Sequence, residues 1–212
     1  TPEVTVELAW VESVGAFADG APYTLRRPLL RIARPNAASL PSDMRTSFRI
    51  APAVFGLGLL EAIAQDDVLA AADPNDSDGD GISGRANYVW SPTLQRTELG
   101  RFGWKANTAT LDDQAGAAFA NDMGVTSPFF AAGTDAPELA QADIAATSFY
   151  TATLAVPTRA PQSAAAKRGS ELFRKFACSG CHTPEQRSGA HPVSALANQT
   201  FAPFTDLLLH DM

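Results

Sequence analysis

The run Cys178-Ser179-Gly180-Cys181-His182 constrains this chain more than any other stretch. It contains both of the cysteines in the sequence, so no structural disulfide competes for them. The spacing Cys-x-x-Cys-His is that of a c-type haem attachment site. Two thiols add across the two porphyrin vinyl groups, and the adjacent histidine is then held beneath the iron as its proximal ligand. Two other chemistries use similar parts. A thioredoxin-like dithiol needs a βαβ setting, which the flanking sequence lacks. A zinc site would need His182, His191 or His210 to complete a Cys2His2 set, and those spacings match no common zinc module. The spacing favours haem c.

The preceding residues support that choice. Ser163 is a plausible N-cap, and Ala165, Gly169, Leu172, Phe173 and Phe176 recur at helical spacing on one face. A helix with a small residue and an aromatic on one face, leading into the haem motif, is similar to the first helix of a cytochrome c domain. Haem attachment to such a motif in bacteria takes place outside the cytoplasmic membrane, so a periplasmic or exported address is expected.

The 212 residues suffice for one or two domains with real cores. The net charge of −7 argues against nucleic acid or an anionic membrane as partner. No apolar run approaches the roughly 18 residues a membrane span needs. The chain begins Thr1-Pro2-Glu3, without a visible signal peptide.

Upstream, Val4, Val6, Leu8 and Trp10 alternate with Thr5, Glu7 and Ala9, which predicts a half-buried strand. With a turn at Asp19-Gly20, this gives a β-hairpin or small sheet over residues 3–33. A helix is predicted around Pro52 to Ile63, with Val54, Leu57 and Ile63 toward a core and Gly56 and Gly58 allowing close approach. Thr110 to Met123 reads as a helix capped by Thr110, with Asp113 at the capping-box position and Gly124 ending it. Pro137 to Leu154 reads as another, with Leu139, Ala142, Ala146, Phe149, Tyr150 and Leu154 on its apolar face. Val156 to Gln162 reads as a linker.

A second informative loop spans residues 73–87. Asp76, Asp78 and Asp80 occupy positions 1, 3 and 5 of an EF-hand-like loop, Gly81 position 6, and Ile82 would offer its carbonyl at 7. Hard oxygen ligands at alternate positions converge on one cation, so Ca²⁺ is a candidate. Position 12 is Asn87 rather than a bidentate glutamate, and ordinary solvated turns share this composition.

Several segments together resemble the bacterial di-haem oxidoreductases of peroxidase type, distant relatives of the di-haem cytochrome c peroxidases. They are Tyr23 to Pro28, Arg49 to Pro52, Gly56 to Ala62, Asp78 to Arg85, Gly100 to Ala106, Asp122 to Ser127, Cys178 to His182, and Thr205 to Met212. The resemblance implies two haems, each in a cytochrome-c-like domain. This chain carries one attachment motif, so a middle segment of a longer protein is expected. The implied partners are an electron donor or acceptor protein and a small oxidant such as peroxide.

The expected fold is mainly α with a small N-terminal β-hairpin and an incomplete cytochrome-c-like helical domain at the C-terminal end. Residues 1–156 would belong to or follow a first haem domain, and 157–212 would begin a second. His182 is the expected proximal ligand, and Met212 or His210 the candidates for the distal one. Trp104 is a candidate electron relay. Glu61 and Gln114 are candidate acid–base groups, for which the sequence offers no partner. The expected activity is that of a peroxidase-type redox enzyme; the alternative is an electron-transfer module without its own turnover.

Overall fold

The computed structural model describes residues 5–33, 42, 43, 45, 47, 48, 50–130 and 136–211. It falls into two compact units, Thr1–Ala51 and Pro52–Met212.

The first unit is a long antiparallel hairpin, β1 (Thr5–Ala16) paired with β2 (Pro22–Ala33), in the register Thr5↔Ala33 and Trp10↔Pro28. Gly20 takes the left-handed φ of 85° that the turn requires, and Asp19 accepts a hydrogen bond from Ala21 N–H. Arg26 lies 5.0 Å from the Trp10 ring centroid. The predicted strand is present. Its apolar residues are not half-buried as a set, however: Val6, Leu8 and Trp10 all count among the exposed large hydrophobics. Val4 lies outside the described residues.

The second unit contains α1 (Leu57–Glu61), α2 (Gln65–Ala70), β3 (Gly84–Arg85), β4 (Tyr88–Ser91), β5 (Arg96–Leu99), α3 (Leu111–Met123), α4 (Gln141–Ala152), α5 (Ala164–Lys175), β6 (Gln186–Arg187), β7 (Thr200–Phe201) and β8 (Leu209–His210). Its strands form three two-stranded antiparallel ladders, β4–β5, β3–β8 and β6–β7. Ile63, Val68, Leu99 and Leu207 form a buried cluster, with Leu60, Leu69, Phe201 and Leu208 packed against it. This cluster joins the α1–α2 region to the segment that follows the cysteine motif.

Three helices follow local signals. Thr110 caps α3 by accepting from Asp113 N–H at 3.0 Å, and Gly124 closes it in the left-handed conformation. Ser163 caps α5 by accepting from Ala166 N–H at 3.1 Å. At the start of α4, Asp143 accepts from Ala140 N–H at 2.9 Å.

The expectation of a mainly α chain is corrected. Helix makes up 28% and strand 22% of the structure. The hairpin is not small, with 12 residues in each strand. The predicted helix around residues 52–63 shrinks to the five residues of α1, because Gly56 adopts φ 73° at its N-cap and leaves Val54 exposed. Among the described residues, the region after 157 contains one α-helix, two 3-10 turns and short ladders, so it is not a helical domain. The apolar face of α4 also differs from the predicted one. Ile144 and Ser148 are its buried residues, whereas Phe149 and Tyr150 are exposed.

The expected close approach at the α1 glycines is present. A Cβ on Gly58 would run into the backbone of Ala152 at the end of α4, so only glycine lets these two helices touch. No helix among the described residues is long and apolar enough to cross a membrane.

Candidate haem-attachment site

α5 ends at Phe176, and Ala177 turns the chain with a left-handed φ of 57°. A single 3-10 turn over Cys178–Gly180 then carries the motif. His182 N–H closes it by donating to the Cys178 carbonyl at 2.9 Å. The turn places the two thiols, three residues apart, at either end of one compact loop, with the histidine directly after. Both cysteines are free and partly buried. Burial pushes the Cys181 thiol up from its ordinary value, and the charges of Asp206, Asp80 and Cys178 push the same way.

Proton placement on His182 follows from its partner. Its Nδ1 lies 3.1 Å from the carbonyl oxygen of Phe204. A carbonyl only accepts, so Nδ1 carries a hydrogen and Nε2 is the ring nitrogen left for a metal. A carbonyl held on one ring nitrogen orients an imidazole toward a ligand at the other. The Phe173 ring centroid is 6.3 Å from that of His182, and Phe173 meets Phe204 edge-on at 5.6 Å. Two thiols and a histidine with a free Nε2 fit the donor set of a c-type haem. Among the described residues no histidine joins the thiols in a cluster of three metal-ligating groups, so the zinc arrangement is not assembled.

The other candidate ligands are placed differently. Met212 lies outside the described residues. His210 has both ring nitrogens engaged: Nδ1 is 2.8 Å from the Ser83 carbonyl and Nε2 is 2.7 Å from Asp206 Oδ2. Neither ring nitrogen is therefore free for a metal. Asp206 is buried and also accepts from Leu208 N–H at 2.9 Å.

The Asp/Gly loop brings together ligand atoms of Asp76, Asp78 and Asp80, all within 4.8 Å of one another. Each of these carboxylates already accepts a backbone N–H: Asp76 from Gly81, Asp78 from Asp80, and Asp80 from Ile82. Asp73 organises the start of the loop. Desolvation alone would raise its carboxyl, but hydrogen bonds from the Ser77 hydroxyl and from the N–H groups of Ser77, Asp78 and Asn75 hold it below the usual range.

Glu61 gains the neighbours the sequence could not supply. Its Oε1 accepts from Leu111 N–H at 2.8 Å. Burial pushes its carboxyl above the usual range, and Asp112 adds to this, while the Leu111 N–H, Arg101 and His191 pull the other way. Arg101, itself lowered mainly by burial, donates to the Leu60 carbonyl at 3.0 Å. Asp113 departs from the predicted capping box. Its Oδ1 accepts from Thr93 N–H and Oγ1, while the buried Oδ2 has no partner among the described residues. Trp104 is exposed on its loop.

A cavity of about 510 Å³ is lined by Gly169, Phe173, Arg174, Pro184 and Phe204. Another, of about 620 Å³, is lined by Leu154, Val156, Leu196, Phe201 and Phe204 among others. Phe204, whose carbonyl holds His182, lines both. Phe204, Phe173 and Asp206 are therefore site residues that the motif did not name. The helical stripe containing Phe173 was the available signal for one of them.

No curated protein and no solved structure gives a significant match to the chain. A family model described as "di-haem oxidoreductase, putative peroxidase" matches residues 3–139 and 131–212, nearly the whole length. On this near-complete match, the chain belongs to the di-haem oxidoreductase family.

Proposed function

We propose that the chain binds one haem c covalently through Cys178 and Cys181, with His182 as the proximal ligand, in a redox protein of peroxidase type. The observation that carries this reading is the His182–Phe204 hydrogen bond, which leaves Nε2 as the free donor beside two reduced thiols. Haem c would supply one-electron redox chemistry and, where its far side is open, a place for peroxide. The chain's own part is positional. The 3-10 turn sets the thiols, Phe204 orients the imidazole, and Phe173 backs it. The partners are a protein that donates or accepts electrons and a small oxidant such as peroxide. Covalent attachment of this type places the protein in the periplasm or outside the cell.

Peroxide consumption by the haem-loaded full-length protein with a reduced electron donor tests the enzymatic part. Turnover that disappears in His182→Ala supports a peroxidase. Reversible reduction without turnover supports the alternative, an electron-transfer module.

Calcium at Asp76, Asp78 and Asp80 with the Ile82 carbonyl is a second reading, favoured by the convergence of those carboxylates. The low ligand charge and missing bidentate glutamate point to weak binding. A calcium-dependent rise in melting temperature that is lost in Asp78→Asn supports it, and no rise at millimolar calcium rejects it.

A further inference from the structure

The Asp/Gly loop and the cysteine motif lie almost one hundred residues apart in sequence, yet they meet. A Cβ on Gly180, inside the motif, would collide with Cδ1 of Ile82. The Ile82 side chain therefore lies directly on the 3-10 turn that carries the thiols. The next residue makes a second connection. The Ser83 carbonyl faces His210 Nδ1, and His210 Nε2 faces Asp206 Oδ2. Asp206 lies two residues beyond Phe204, whose carbonyl orients His182. Gly84 completes the anchorage by pairing with His210 in the β3–β8 ladder and packing against Leu208. Of three consecutive residues, Ile82 thus touches the thiol turn directly, while Ser83 and Gly84 hold His210, in the same segment as the Phe204 carbonyl that orients His182.

We propose that residues 82–84 clamp the haem-attachment turn, with Ile82 as the positioning residue. This inference deepens the haem reading and rests on it. The clamp acts by packing. Ile82 shields one side of the turn and limits how far Gly180 can swing, so the relative placement of Cys178, Cys181 and His182 is held. The loop is itself fixed, because Ile82 N–H donates to Asp80 Oδ1 at 2.8 Å and Gly84 N–H to the Asp73 carbonyl at 3.1 Å. Disturbing the loop therefore disturbs the haem environment without touching any ligand.

The test compares wild type, Ile82→Ala, Ile82→Leu, Gly180→Ala and the Ile82→Ala/Gly180→Ala pair, all produced with the haem-attachment machinery. Two readouts are taken on the loaded protein: amide exchange over residues 178–182 and the haem midpoint potential. Ile82→Ala is expected to retain covalent haem, to speed exchange in the turn by about tenfold through easier local opening, and to lower the potential as water approaches. Ile82→Leu, which restores reach at the contact, should return both readouts most of the way to wild type. Gly180→Ala should displace the isoleucine and mimic Ile82→Ala, and the double variant should be no worse than either single one. A loaded wild type whose turn exchanges no slower than that of Ile82→Ala overturns the clamp alone, as do independent effects that multiply in the double variant. A wild-type chain that takes up no haem overturns the haem reading and the clamp together.

Discussion

α3 and α5 are of similar length, 13 and 12 residues, and each begins with a hydroxyl cap. They differ in what they touch. α3 buries Leu111, Asp113 and Gly116, and its first turn receives Glu61 from α1. α5 has no fully buried residue, its Ser170, Leu172 and Phe173 being half-buried, and Gly169 on its apolar face has open space where a side chain would be. Among the described residues, α3 packs against α4 and α1, whereas most of α5 is exposed. Helix formation and burial are therefore separate here. α5 forms from its cap and its amphipathic pattern with little burial.

Core truncation gives the largest contrast. Ile144→Ala, at a residue 1% exposed, should cost about 2–5 kcal/mol in a denaturant melt. Phe176→Ala at the end of α5, where the ring is 68% exposed, should cost less than about 0.5 kcal/mol in the haem-free chain. Equal losses would mean that α5 is covered after all.

Glycine substitution should separate the regions by sign. Gly58→Ala forces a methyl into the Ala152 backbone and should destabilise by about 1–3 kcal/mol. Gly169→Ala meets no atom within 4 Å and should stabilise α5 by about 0.5–1 kcal/mol. A destabilising Gly169→Ala in the melt would show that a neighbour already occupies that face.

The smallest expected effect concerns pH. The carboxyl of Glu61 is raised in the folded chain, chiefly by burial, with Asp112 adding and Leu111 N–H, Arg101 and His191 opposing. The folded state thus holds this proton more tightly than the unfolded state, whose reference value is 4.5. The stability contributed by that proton is present at low pH and lost as pH rises from 4.5 through the higher folded value. Glu61→Gln keeps an acceptor for Leu111 N–H and should flatten that part of the stability–pH curve. An unchanged slope would remove Glu61 from the account.

The same contrast explains what the sequence made legible. The α3 and α5 boundaries were readable because Thr110, Gly124 and Ser163 act on their own neighbours. The cysteine motif and the three aspartates were readable because their chemistry lies within five residues. The start of α1 was misread, since a proline at residue 52 suggested a first turn that the left-handed Gly56 instead postpones. The β4–β5 hairpin was missed. Its strands have four residues each, and Tyr88 and Trp90 face outward, so no alternating core pattern marks them. The Glu61–Leu111 and Ile82–Gly180 contacts join residues 50 and 98 positions apart, and no local periodicity encodes such pairs. The overall balance of helix and strand was misjudged for a related reason. The two-residue ladder β3–β8 exists only because distant segments meet, and the β6–β7 ladder is too short to show a period.

The most direct test of the central claim is the haem content of the chain exported from cells that contain the c-type attachment machinery. The account predicts one haem per chain that resists acidic organic extraction and gives a c-type pyridine haemochrome spectrum. It also predicts that this haem is lost in Cys178→Ser/Cys181→Ser. A chain without a Soret band, or one whose haem is fully extractable, would contradict it.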